Sequence, residues 1–135
     1  MGPTKPIECV PDSKHDIAAV KRAELLGYPG INVILPELLI WVQDMNWPVA
    51  WQVVPLLAKA GPEIAPSVKA VLNSDDDIWK YNILFHLAPQ FDRNVRDLIT
   101  AEVSRIADAP TANETAEEAD AAARDLLANW DDPGQ

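Results

Sequence analysis

Apolar residues recur along most of this chain at intervals of three or four positions, which is the spacing of helices that bury one face. Ile17, Val20 and Ala23 follow this spacing near the beginning, and Val95 and Ile99 follow it in the last third. Glycine and proline divide the stretches into separate helices. The predicted helices begin after Asp12 or Ser13 and end at Gly27, and then cover 31–44, 46–61, 61–73, 74–88, 92–108 and 115–130. No stretch is predicted to be a strand.

The middle of the chain contains an internal repeat with a period of thirty residues. Residues 34–38 (Ile-Leu-Pro-Glu-Leu) fall on 64–68 (Ile-Ala-Pro-Ser-Val), and 41–42 fall on 71–72. Past the next turn, Val49, Trp51, Val53, Val54 and Leu57 fall on Trp79, Tyr81, Ile83, Leu84 and Leu87. Repeats that each hold two short helices stack into a solenoid. We therefore predict an all-α fold, a short α-solenoid of about three antiparallel helix pairs preceded by an N-terminal helix.

The length of 135 residues suits one domain with a sizeable core. We expect residues 1–11, which contain three prolines, to be extended and partly disordered, 12–130 to form the helical domain, and 131–135 to be an acidic tail. The repeat register also places Trp79 in the core. The other predicted core residues are Leu35, Leu38, Leu39, Val42, Val49, Val53, Leu57, Val68, Leu72, Ile83, Leu84, Leu87, Leu98, Val103 and Leu126.

Two sets of residues resemble known helical-repeat sequences. The run Gly-Pro-Glu-Ile-Ala-Pro at 61–66, with Val68, Val71 and Leu72 after it, resembles the first helix of a HEAT repeat. A second set resembles the bacterial domain-of-unknown-function family DUF5071: 26–29 (LGYP), 34–39 (ILPELL), 43–50 (QDMNWPVA) and 72–81 (LNSDDDIWKY). This resemblance implies a small HEAT-like helical domain of uncharacterised role, and it implies no activity, cofactor or catalytic residue. It does not place the proline-rich start before Asp12 or the alanine-rich, acidic end after Asn113.

The formal net charge of −10 changes the expected partners. Seven acidic residues and a single basic one lie at 114–135, and no basic stripe appears anywhere. An acidic chain repels phosphate backbones, so we expect no nucleic-acid binding. A basic protein partner fits this charge, and the alternative is that the charge serves solubility. The longest apolar stretch, 31–42, is too short to span a bilayer, so we expect no membrane contact and a cytoplasmic protein.

The sequence contains no recognisable catalytic constellation, and we predict no catalytic residue, metal site or cofactor. There is no His-Glu-x-x-His, paired Cys-x-x-Cys or glycine-rich phosphate loop. Cys9 is expected in the loose N-terminal segment, where no rigid base could orient it. His86, between Phe85 and Leu87, is expected at the edge of the core rather than in proton transfer. Three adjacent aspartates at 75–77 favour helix capping over a calcium loop, which spaces its ligands at alternate positions.

One edge of the predicted stack is the candidate partner-binding surface. Equivalent turns align in a stack of helix pairs, so the turn that contains Trp47 should lie beside the start of the helix at 74–88. Such an edge mixes aromatic, acidic and amide groups, as protein-binding hot spots do. Trp47 is the candidate exposed aromatic residue, while Trp51 belongs either to this edge or to the core. The edge comprises Asn46, Trp47, Asp75, Asp76, Asp77, Lys80 and Tyr81, with Lys80 in a weak exposed pair with one of the aspartates.

These features together predict a non-catalytic protein–protein interaction module. One alternative is an immunity- or inhibitor-type protein that occupies a basic partner. Another is an enzyme accessory of the chromophore-lyase type, which rests on analogy of fold alone. A deep pocket that contains His86 and an acidic partner would favour this last hypothesis. The sequence predicts neither the oligomeric state nor whether the alanine-rich last helix docks on the stack or on a second copy.

Overall fold

The computed structural model describes residues 4–131, and every regular element among them is helical, as predicted. The α-helices are α1 (Ile17–Leu26), α2 (Leu35–Leu39), α3 (Ala50–Ala58), α4 (Ala65–Leu72), α5 (Asp77–Asn82), α6 (Arg93–Asp108), α7 (Ala112–Ala116) and α8 (Ala119–Trp130). Short 3-10 segments cover Pro6–Cys9, Gly30–Ile34, Ile40–Gln43, Pro62–Ile64 and Ala88–Gln90. A π-helical turn, Ile83–Leu87, continues α5.

Aspartate side chains define the starts of three helices. Asp16, Asp76 and Asp92 each accept a hydrogen bond from the backbone N–H of the residue three positions later. A carboxylate in this position satisfies a free N–H and opposes the positive end of the helix dipole. The predicted caps of α1, Asp12 and Ser13, were therefore wrong: the helix begins later, because Asp16 is the residue whose side chain reaches a backbone donor.

The two helices predicted at 31–44 and 46–61 are less regular than expected. The first is a continuous run of 3-10, α and 3-10 turns from Gly30 to Gln43. The second is reduced to α3, with Pro55 inside it as predicted. Proline has no N–H to donate to the carbonyl of Trp51, so this helix lacks one of its hydrogen bonds.

The linker expected between α6 and α8 contains a helix of its own. Thr111 caps α7 by accepting from the backbone N–H of Glu114, whose Oε1 in turn accepts from the backbone N–H of Thr111. This reciprocal pair is a capping box. Thr115 begins the same Thr-x-x-Glu spacing four residues later, at the predicted start of the last helix, but the capping box forms at Thr111. Glu118, in the left-handed conformation, instead forms the bend between α7 and α8.

The N-terminal segment is also more ordered than its prolines suggest. Residues 6–9 form a 3-10 turn that packs against α1. Cys9 is fully buried, and Arg22 Nε donates to the carbonyl of Glu8 at 2.7 Å. The extended, partly disordered segment expected over 1–11 is therefore wrong for 4–11. Residues 1–3, and 132–135 of the expected acidic tail, lie outside the described residues.

The helices form two layers around one core. The helices α2, α4 and α6 contact one another in sequence, and so do α3, α5 with its π turn, and α8. Contacts between the layers join α2 to α3, α4 to α5 and α6 to α8. All predicted core residues are buried except Trp79, which is half-buried against the core, and Leu98, which is 45% exposed because it lies beside the buried stripe of Val95, Ile99 and Val103. No α-helix in the described range 4–131 is long and apolar enough to cross a membrane.

The alanine-rich last helix docks on the stack. Ala119, Ala122, Ala123 and Leu126 are buried, and α8 packs closely along α6. Small side chains allow two helices to approach closely, so the alanine face is used within this chain.

Candidate binding surface

The side of α5 that faces the protein interior carries a buried ionic network. Lys80 is only 3% exposed, and its Nζ donates to Asp77 Oδ1 at 2.8 Å and to Glu114 Oε2 at 2.9 Å. Arg105 Nη2 donates to the same carboxylate of Glu114 at 2.8 Å. Glu114 is fully buried, so its charge is balanced by two cations from α5 and α6. The exposed pair expected for Lys80 is therefore wrong: Lys80 is part of the interior.

The pKa values of the network follow from these contacts. The hydrogen bond from Arg105, with help from Lys80 and against the effect of burial, lowers the pKa of Glu114 to about 2. Burial pushes the pKa of Lys80 down, but its hydrogen bonds to Asp77 and Glu114 outweigh that effect and raise it above the ordinary value. The hydrogen bond to Glu114 likewise raises the pKa of Arg105. All three side chains are therefore charged at neutral pH.

The network fixes α7 against α5. Glu114 belongs to α7 and is held by Lys80 of α5 and Arg105 of α6. As a result, Asn113 of α7 and Glu117, the residue that follows α7, lie across a hollow from the turn that begins α5. A buried ion pair is weak evidence for stability, but it constrains geometry strongly because each unpaired charge would be costly.

Asn82 fixes the other end of α5. Its Nδ2 donates to the carbonyls of Val42 at 2.9 Å and Gln43 at 3.1 Å, where the chain leaves the helical run that includes α2. Asn82 is 6% exposed, so these two carbonyls are satisfied away from water. Two buried polar side chains, Lys80 and Asn82, therefore hold α5 in one register.

The opposite side of α5 presents apolar side chains to solvent. Ile78, Tyr81 and Phe85, spaced by three and four residues, share this side and are called the α5 face below. Ile78 and Phe85 are each 54% exposed, and the rings of Tyr81 and Phe85 stack at 5.3 Å between centroids. The ring of His86 contacts Phe85 edge-on and also contacts Trp51 of α3, which is 54% exposed.

Three hollows border the α5 face, with volumes of about 280, 360 and 490 Å³. Two of them meet at Ile78, and the third lies beside Phe85, between the π turn and α8. Their walls include carboxylates and no lysine, arginine or histidine. Asp77 is turned inward to Lys80. The other five carboxylates, called the acidic rim below, are Asp44, Asp75, Asp76, Glu117 and Asp125.

The structure brings together part of the edge predicted from the sequence. Asn46 is exposed and lines the same hollow as Asp76, as the alignment of turns predicted. Trp47 is half-buried, packs on the core and meets Trp41 edge-on at 5.5 Å, so it is not the exposed aromatic residue. Trp51, for which the sequence left both the edge and the core open, is 54% exposed instead. Trp79 is half-buried against the core, close to its predicted position.

Sequence reasoning missed several residues of this surface. Ile78 and Phe85 could have been found, because they lie three residues before and four residues after Tyr81. Glu117 and Asp125 carried no local signal, since their place opposite α5 depends on the packing of α7 and α8. The role of Glu114 could not be predicted for the same reason, because its partner Lys80 is 34 residues away in the chain.

The arrangement offers little for chemistry. No group of three or more histidine, cysteine, aspartate or glutamate side chains in the described part of the chain is placed to hold a metal ion. Asp76 caps α5 and Asp77 pairs with Lys80, which gives two of the three adjacent aspartates a structural role. Burial lowers the pKa of His86 and raises that of Cys9. His86 is therefore neutral at pH 7, with its ring between Trp51 and Phe85 as predicted for the edge of the core.

The fold and this surface define an all-helical protein whose second layer exposes apolar residues beside an acidic rim. The chain belongs to the family described as a domain of unknown function, DUF5071, whose model matches residues 9–127. The match begins at Cys9, the last residue of the turn that packs on α1, so residues 9–11 of the N-terminal segment that the resemblance left unplaced are family sequence. No curated protein matches the chain significantly.

Proposed function

We propose that this chain is a non-catalytic interaction module that binds a basic protein partner. The observation that carries the proposal is the acidic rim: five carboxylates border the hollows along α5, with no basic side chain on the same walls. Complementary charge speeds the encounter of two proteins and orients them. The rim is a fixed feature, because the network around Glu114 holds α7 against α5.

The layered packing supports a HEAT-like solenoid as the architecture of this module. Corresponding helices of successive pairs contact one another, as α2, α4 and α6 do in one layer and α3, α5 and α8 do in the other. Solenoids of helix pairs present extended faces of this kind to their partners. The layer of α3, α5 and α8 is the one that carries the exposed Trp51 and Phe85.

The same rim supports the narrower hypothesis of an inhibitor that occupies a basic partner. The chromophore-lyase hypothesis receives less support, because it calls for a deep pocket that contains His86 and an acid. The hollows that flank α5 are not lined by His86, whose ring is covered by Trp51 and Phe85. We therefore favour binding over catalysis.

The proposal is tested by affinity capture from a lysate of the native host at low and at moderate salt. The test variant combines Asp75→Asn, Asp76→Asn and Glu117→Gln; asparagine still caps α5, so the fold is preserved. The matched control combines Asp97→Asn, Asp108→Asn and Glu63→Gln, three exposed acids away from the rim, and has the same net charge. We expect a basic protein that the wild type and the control retain at low salt and the rim variant loses. Equal retention by both variants would refute the proposal.

A further inference from the structure

The polarity of α5 is the inverse of that of an ordinary surface helix: polar side chains face the interior and apolar side chains face solvent. Lys80 and Asn82 are buried, whereas Ile78 and Phe85 are each more than half exposed. A surface helix normally does the reverse. The buried polar groups are explained by their hydrogen bonds, but nothing within the described residues covers the α5 face. An exposed apolar patch with a charged border is typical of a binding site.

We infer that the α5 face binds a basic amphipathic helix of the partner. Ile78 and Phe85 are seven residues apart, which is about 10 Å at 1.5 Å per residue. A partner helix with apolar side chains two turns apart has the same spacing. Its lysine or arginine side chains, at the border of its apolar stripe, would then meet the acidic rim. This inference rests on the proposed function and specifies the partner.

The charge of the acidic rim favours a basic helix over the other partners that could cover an apolar face. A second copy would place one acidic rim against another, and like charges in an interface cost several kcal/mol. A membrane surface with anionic lipids would be repelled by the same carboxylates. A neutral helix would leave the carboxylates of the acidic rim without positive charges to pair with. A basic helix satisfies both parts of the surface, since Asp75 and Glu117 flank Ile78 while Asp125 flanks Phe85.

The partner helix is expected to contact α5 and α8 together. The hollow beside Phe85 is lined by Pro89 on one side and by Asp125 and Asn129 of α8 on the other. Asp125 and Asn129 are four residues apart and thus project from the same side of α8. They offer a carboxylate and an amide to the charged end of a lysine or arginine side chain whose apolar stem lies on Phe85.

The experiment uses the full chain and two synthetic peptides of leucine and lysine, each about four helical turns long. One peptide has leucine at the positions of a helical stripe, and the other has the same composition in scrambled order. Binding is measured by isothermal titration calorimetry, and the contact surface is mapped by amide chemical-shift changes. We expect the patterned peptide to bind about tenfold more tightly than the scrambled one. Its shifts should centre on residues 75–85 and on α8.

Four variants make the result specific. Ile78→Ser with Phe85→Ser should reduce the affinity of the patterned peptide to that of the scrambled one; Ile78→Ser alone should cause part of the loss. The matched control, Val33→Ser with Leu98→Ser, changes two exposed apolar residues elsewhere and should have no effect. The rim variant Asp75→Asn, Asp76→Asn and Glu117→Gln should weaken both peptides equally.

The outcomes separate this inference from the proposed function. Equal affinity of the two peptides, with a loss on the rim variant, would overturn the amphipathic helix and leave an acidic binding module. Shift changes confined to other surfaces would also overturn it. If neither peptide binds at low salt, both the inference and the choice of a basic partner fail.

Discussion

The two sides of α5 differ in the polarity of their side chains: the interior side is polar and the solvent side is apolar. Toward the interior, Lys80 and Asn82 are nearly inaccessible and their donors reach the side chains of Asp77 and Glu114 and the carbonyls of Val42 and Gln43. Toward solvent, Ile78 and Phe85 expose more than half of their surface. Both polar side chains on the interior side therefore have hydrogen-bond partners. On the solvent side, no other described element covers Ile78 and Phe85, although Phe85 contacts the rings of Tyr81 and His86.

This difference shows that the two sides of the helix have separate roles: the buried side fixes the position of α5, and the exposed side is available for binding. The interior side uses charge and amide groups to fix where α5, α6 and α7 lie, because polar contacts tolerate little displacement. The solvent side is then free to carry apolar residues whose contribution to folding is small. Mutations on the two sides should therefore have opposite effects on stability and on binding.

Among substitutions of the polar residues that hold α5, the largest expected effect on stability is that of Glu114→Gln. The substitution keeps the size and the capping box with Thr111, but it leaves Arg105 without its anion and Lys80 with Asp77 as its only anion. Removing one partner from a buried ionic group costs about 3–5 kcal/mol, and we expect about 3 kcal/mol because Arg105 can turn partly toward solvent. The measurement is urea unfolding followed by circular dichroism.

The control for this substitution is Glu117→Gln, at an exposed residue that directly follows α7 and is three positions from Glu114. It should change the free energy of unfolding by less than about 0.5 kcal/mol. If the two variants were equally stable, the network would not hold α7, and the rigidity of the acidic rim would lose its explanation.

A pH series tests the same network without a change of geometry. The pKa of Glu114 is lowered to about 2 from an ordinary value of 4.5. A depressed carboxyl pKa stabilises the folded state above the unfolded pKa, and this stabilisation is lost as the pH falls through the folded value. The difference in unfolding free energy between wild type and Glu114→Gln should be constant above pH 4.5 and shrink toward pH 2. A difference that persists unchanged at pH 2 would mean that charge is not its source.

The next effect concerns Asn82→Ala on the same side of α5. The substitution leaves the carbonyls of Val42 and Gln43 without their donor, and a buried unsatisfied group costs about 1–3 kcal/mol. Asn94→Ala, an exposed asparagine in α6, provides the comparison and should be nearly neutral. Thermal unfolding distinguishes the two; a neutral Asn82→Ala would show that water replaces the amide.

The sequence predicted the layout of the fold well because that layout depends on local signals. Apolar spacing gave the positions of the main helices, and the repeat gave the alignment of turns that brings Asn46 near Asp76. Local signals failed where two similar ones competed: Thr111 and Thr115 both begin a Thr-x-x-Glu pattern. Prolines at 3, 6 and 11 suggested disorder, whereas the turn that ends in the buried Cys9 is held by contacts to α1.

The binding surface was harder to predict because it depends on residues far apart in the chain. Lys80 appears in the sequence beside three aspartates, which suggests an exposed pair, yet its anion Glu114 comes from α7. The repeat aligns Trp51 with Tyr81, but this register did not decide whether Trp51 lies in the core or at the edge, and the structure leaves its side chain 54% exposed. The π turn Ile83–Leu87 also changes the helical period, so spacing rules lose accuracy at Phe85 and His86.

The smallest expected effect belongs to the solvent side of α5. Leu84 and Phe85 are neighbours in the chain, but Leu84 is 1% exposed and Phe85 is 54% exposed. Leu84→Ala should destabilise the fold by about 2–5 kcal/mol, because it empties core volume. Phe85→Ser should cost no more than about 1 kcal/mol, since half of the ring is already in water. If urea unfolding gave both substitutions the same large cost, Phe85 would be a core residue, and its exposure would no longer indicate a surface reserved for a partner.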